Sequence, residues 1–236
     1  MISRVLTNKF CKSLITRTVC DRAVSRRFAE TSSYENIKVN HWSQLNTYHY
    51  TELFNAIVFS SNSERMSEVV HTAAPIMTDQ LLALALKIMA ENEFQTGDAF
   101  NSKMLPFVKI YTKLFDRNNT QAFAETMVSM GKLEVRDEEY WQICRKKLVE
   151  EGYNRYIPLR NMGHLIKSLA NVGQADPELL RILGSQVIKH RHELDDANIN
   201  AAIAGFEVTG LGVDVFRKAL EDGSQDGSSM PPRELH

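Results

Sequence analysis

The sequence predicts an all-α protein: stacked antiparallel helix pairs that form a short right-handed α-solenoid-like array. Three observations predict it. From about Thr51 to Leu220 the apolar residues recur with helical spacing throughout. The alternating Val/Ile/Thr/aromatic runs of strands are missing from this body, as are their Asn-Gly and Asp-Gly turns. Gly131, Gly173 and Gly210 each follow an apolar helical run, with spacings of 42 and 37 residues, and a period in that range marks repeat architectures.

The chain opens differently. Residues 1–29 hold seven basic residues, Arg4, Lys9, Lys12, Arg17, Arg22, Arg26 and Arg27, against one acid, Asp21. Hydroxyl residues are interleaved, and Ile2, Val5, Leu6, Phe10, Leu14 and Ile15 recur at roughly helical spacing. This Arg-rich, acid-poor, amphipathic pattern predicts a mitochondrial transit peptide, with Arg26-Arg27-Phe28-Ala29 as its cleavage zone. No uninterrupted apolar segment follows the basic start, so a secretory signal does not fit. The alternative is a basic arm that stays attached and binds nucleic acid or anionic lipid. Residues 30–43 are polar and read as a linker or extended arm. Residues 44–220 form the repeat domain of about five helix pairs. Residues 221–236, rich in Asp, Gly, Ser and Pro, read as a flexible C-terminal tail.

Start and stop signals divide the repeat domain. Tyr50–Phe59 and Glu64–Thr72 make the first pair. Thr78-Asp79 precede the apolar run Leu81–Met89 and cap its first turn; Met104–Phe115 completes the second pair. Phe123–Met130 is the first helix of the third. Asp137-Glu138-Glu139 open its second helix, with Gly152 just past the end. Three acids at the start and Arg145, Lys146 and Lys147 later suit the helix dipole. Asp176-Pro177-Glu178 is the sharpest start in the chain: an N-cap, then a proline at N1, where a missing N–H costs little. That helix runs into the basic turn Lys189-His190-Arg191-His192. Asp195-Asp196 start the next helix, and Gly210 ends it. Glycines 131, 173 and 210 are the expected left-handed residues just past helix ends.

At an offset of 37, Asn161 matches Asn198, Ile166 matches Ile203 and Gly173 matches Gly210, while Leu169 meets Phe206. The stretch Leu165-Ile-Lys-Ser-Leu-Ala-Asn-Val-Gly-Gln-Ala-Asp-Pro-Glu-Leu-Leu and the restart from Ile188 to Ile199 resemble the heptatricopeptide and octotricopeptide repeats of organellar proteins, which also underlie the FAST-kinase-like family. The resemblance covers residues 159–220 well and 120–158 loosely. It implies stacked helix pairs and an organellar role, most often in RNA maturation. The chain departs from the family in having about five units, in lacking the octotricopeptide Pro-Pro-Pro-Glu-Trp signature, and in its charge.

The whole chain carries a net charge of −1. Removing the seven basic residues and one acid of the first 29 leaves 21 Lys and Arg against 28 Asp and Glu, a net of −7. Such a surface has no general attraction for RNA, DNA or anionic lipid. Cys11 and Cys20 lie in the transit peptide, so the mature chain keeps Cys144, which cannot form an internal disulfide. That suits the matrix or the matrix face of the inner membrane. Cys144 sits on an apolar stretch and reads as a buried structural thiol. No apolar run approaches the roughly 20 residues of a membrane span.

Little of the sequence suggests catalysis. Gly210-Leu-Gly212 lacks the strand and third glycine of a phosphate loop and reads as a helix stop. His190 and His192 point to different faces of a helix, and with Glu193 fall short of a converging metal site. His164 lies one turn before Ser168 without a third orienting group. No catalytic, cofactor-binding or metal site is expected. The one dense basic cluster is Arg145, Lys146 and Lys147, followed by Tyr153, Arg155, Tyr156 and Arg160. Basic and aromatic residues together hold single-stranded RNA through phosphate contact and stacking, and a solvated helix face is the plainer reading. These residues are the candidate contact to RNA or to a partner.

The expectation from sequence is a non-catalytic accessory subunit of a large mitochondrial assembly: a respiratory-chain complex, ATP synthase or the mitoribosome. It would act as a helical-repeat scaffold, contact other subunits, and associate with a membrane only through them. The alternative is a mitochondrial RNA-binding factor of the octotricopeptide or heptatricopeptide type.

Overall fold

The computed structural model describes residues 47–74 and 77–221. The expected transit peptide (1–29), the expected arm (30–43), the first residues of the expected repeat domain and the tail beyond Glu221 lie outside the described residues.

Among the described residues there are ten α-helices and no strand. They are α1 (Thr47–Val58), α2 (Ser63–Thr72), α3 (Asp79–Glu91), α4 (Leu105–Leu114), α5 (Thr120–Lys132), α6 (Glu138–Val149), α7 (Leu159–Asn171), α8 (Pro177–Lys189), α9 (Asp196–Thr209) and α10 (Val213–Glu221). Consecutive helices form five pairs. The first helices of the pairs, α1, α3, α5, α7 and α9, stack each on the next. Among the second helices, α4 packs on α6 and α8 on α10. The fold is an all-α helical array, as the apolar period predicts.

The predicted starts hold in detail. Thr78 accepts from Leu81 N at 3.2 Å, Asp137 from Tyr140 N at 2.8 Å, Asp176 from Leu179 N at 2.8 Å and Asp195 from Asn198 N at 2.8 Å. Each satisfies a donor that the helix itself leaves unpaired. The basic turn after α8 differs slightly: α8 stops at Lys189, and Arg191–Glu193 form a separate 3-10 turn. A π-helical turn, Phe100–Met104, leads into α4 just before Pro106, whose missing N–H cannot close a regular helical turn.

The stops carry a correction. Gly173 and Gly210 adopt the left-handed conformation as predicted, with φ of 74° and 68°. Gly131 does not: it lies buried inside α5. The left-handed residue after α5 is Glu134, and after α3 it is Glu93, both at φ 54°. After α5 the closing bonds run from Glu134 N to Gly131 O and from Val135 N to Met130 O; after α7 they run from Gly173 N to Ala170 O and from Gln174 N to Leu169 O. These are the same motif. The true markers of the period are therefore Glu93, Glu134, Gly173 and Gly210, spaced 41, 39 and 37 residues apart.

Gly131 serves close packing instead. A Cβ there would stand 2.3 Å from the Ser168 Cβ of α7. A Cβ on Gly163 of α7 would stand 1.9 Å from the Asn198 carbonyl oxygen of α9, and one on Gly205 of α9 would stand 2.8 Å from Ile166 Cγ2. Ser168 donates to the Val128 carbonyl at 3.1 Å. The first layer thus brings helix backbones close together through small residues.

The second helices share one register. At a shift of 36 residues, Met104, Leu105, Val108 and Thr112 correspond to Tyr140, Trp141, Cys144 and Leu148. A further 39 residues bring Leu179, Leu180, Leu183 and Val187, and all twelve are buried. Burying each large apolar side chain contributes roughly 1.5–3 kcal/mol. The core is continuous through an aromatic chain in which Phe123 lies 5.6 Å from Phe115 and 5.7 Å from Tyr153, ring centre to ring centre. At the far end Phe206 stacks on Phe216 at 4.1 Å.

Candidate interaction surface

The basic-aromatic cluster does not form one patch. Arg145, Lys146 and Lys147 are consecutive on α6, and consecutive residues of a helix point in different directions.

Arg145 faces α8. Its Nε donates to Asp176 Oδ2 at 2.9 Å and its guanidinium to Glu178 Oε2 at 2.6 Å. The hydrogen bond to Asp176 is the largest influence holding the Arg145 proton on, above its ordinary value. Asp176 is also the N-cap of α8, so one carboxylate starts a helix and ties it to its neighbour.

Lys147 faces inward and is 5% exposed. Its Nζ donates to the Phe115 carbonyl at 2.7 Å, lies 4.7 Å from the Tyr153 ring centre and reaches Glu151 at 3.4 Å. The Tyr153 hydroxyl, also buried, donates to the same Phe115 carbonyl at 2.7 Å. Two donors meet the carbonyl just past the end of α4, which α4 itself leaves unpaired. Lys147 and Tyr153 therefore leave the candidate contact set, because burial takes them from any ligand. Lys146, Arg155, Tyr156 and Arg160 remain exposed. The Arg117 guanidinium sits 5.4 Å from the Tyr156 ring centre, a cation–π distance.

The arrangement around Arg145 has a counterpart one pair earlier, around Lys109, which sequence reasoning did not single out. Lys109 of α4 donates to Asp137 Oδ1 at 2.9 Å and to Glu139 Oε2 at 2.8 Å. Asp137 is the N-cap of α6, and Glu139 is its second residue. Asp176 and Glu178 occupy the same two positions of α8, 39 residues later. A cation on one second helix thus staples the N-terminus of the next, twice. The hydrogen bond to Asp137 is the largest influence raising the Lys109 pKa, and the bond from Lys109 is the largest lowering that of Glu139. The Asp-x-Glu starts were the available signal; their partners lie about 30 residues away in sequence.

Beside the first staple, α4 and the segment 134–139 enclose an open groove of about 810 Å³. Leu105, Pro106, Ile110 and Val135 supply its apolar lining; Lys109, Lys113 and Arg136 are its cations, and Glu134, Asp137 and Glu139 its carboxylates. Ile110 is 51% exposed and Leu114, one turn on, 73%.

The remaining candidates resolve into structure. Cys144 is fully buried, as the reading of a structural thiol expects, and burial pushes its thiol up to about 12. His164 is shifted below its ordinary value, chiefly by partial burial and then by Lys132. Ser168 bonds to Val128 rather than to His164. His190 Nδ1 meets Glu193 at 2.8 Å, and Arg191 Nε donates to His192 Nε2 at 3.2 Å. Among the described residues no group of three or more His, Cys, Asp or Glu side chains is placed to hold a metal ion. No helix among them is long and apolar enough to cross a membrane.

Compared with protein-family models and with curated proteins, the chain matches none.

Proposed function

We propose that the protein is a non-catalytic accessory subunit of a large mitochondrial assembly, on the matrix side, acting as a helical-repeat scaffold for other subunits. The observation that carries this reading is the use made of the basic-aromatic cluster. Arg145, Lys147 and Tyr153, three of its seven members, hold one helix pair against the next. What remains is a stacked array, and stacked arrays of this kind commonly present binding surfaces. The Arg-rich, acid-poor first 29 residues support the mitochondrial address, and the resemblance of residues 159–220 to organellar repeats agrees with it. Candidate assemblies are a respiratory-chain complex, ATP synthase and the mitoribosome, with membrane association, where it occurs, through partner subunits.

A second reading, an RNA-binding factor, has one observation in its favour. Tyr156 is 46% exposed with Arg117 over its ring, and Arg155 and Arg160 are exposed nearby in sequence. Such a group suits stacking on a base beside a phosphate.

Gradient sedimentation and native gels of detergent-solubilised mitochondria, with and without RNase, separate the two. The scaffold reading expects co-migration with a large complex that survives RNase. A shift to low mass after RNase would reverse the ranking.

A further inference from the structure

We draw no further inference here: the strongest candidate, the exposed apolar face of α4 with Ile110 and Leu114 beside the groove to residues 134–139, carries none, because its neighbouring lysines are paired within the chain and nothing in the structure shows what covers it.

Discussion

The two layers of the array are held together by different physics. In the first layer, α5, α7 and α9 approach through Gly131, Ser168, Gly163 and Gly205, with almost no space for another atom. In the second layer, α4, α6 and α8 are joined by partly exposed charged staples at helix N-termini. Close-packed contacts tolerate no added volume; exposed ion pairs contribute modestly and tolerate change. The difference teaches where the molecule is free to vary. The first layer fixes the fold, and the second layer's outer face carries variation without loss of the array: Ile110 and Leu114 of α4 stand where α6 has Lys146 and Glu150.

The largest effect expected is at Gly163. A side chain there meets the Asn198 backbone rather than a movable side-chain end. Gly163→Val should destabilise by ~3 kcal/mol or more, read as a lowered midpoint in chemical denaturation. Gly131→Ala should cost less, roughly 1–2 kcal/mol, because Ala gains about 1 kcal/mol over Gly in a helix while the neighbouring Ser168 must move. A neutral result at both positions would break the comparison.

Lys147→Met is next. It removes a buried charged donor from the Phe115 carbonyl but leaves the Tyr153 hydroxyl on it. The expected loss is about 1–2 kcal/mol, with Lys147→Met plus Tyr153→Phe losing more than the sum of the two, because the carbonyl is then left without a donor. A double-mutant cycle checks this.

The staples should be weaker. Arg145→Met and Lys109→Met should each cost about 0.5–1 kcal/mol in thermal or chemical denaturation, and the loss should shrink at high salt. A loss as large as that of Gly163→Val would sink the distinction between the layers.

Two smaller changes sharpen it. Glu93→Gly and Glu134→Gly relieve a left-handed backbone that an L side chain adopts at a cost. Each should raise stability by up to about 1 kcal/mol. His164 is shifted below its ordinary value, so the unfolded chain takes its proton first. Stability from His164 is fully present above its ordinary value of 6.5 and is lost as pH falls through the lowered folded value. His164→Gln should flatten the fall in stability between pH 7 and pH 5, followed by denaturation across that range.

The five pairs were legible in sequence because each helix carries its own periodic apolar stripe. The start of α8 was legible because an N-cap, a proline and a glutamate occupy three adjacent positions. The end of α5 was not, since glycine answers two demands: a left-handed turn and a close contact. Gly131 serves the second, and Glu134 takes the turn against its own propensity. The candidate site was legible only in part. Arg145, Lys146 and Lys147 look like one patch in a linear chain, yet a helix turns them toward α8, solvent and the core. The apolar stripe of α4 escaped notice because Pro106, Ile110 and Leu114 continue the same helical period as its buried face. Only the register shared with α6 and α8 exposes it as an exception.

The direct measurement is gradient sedimentation from mitochondria, with and without RNase, for two chains: wild type, and Lys146→Ala with Arg155→Ala and Arg160→Ala. The expected result is a large, RNase-resistant particle for both. Release of the wild type to low mass by RNase would contradict the scaffold reading.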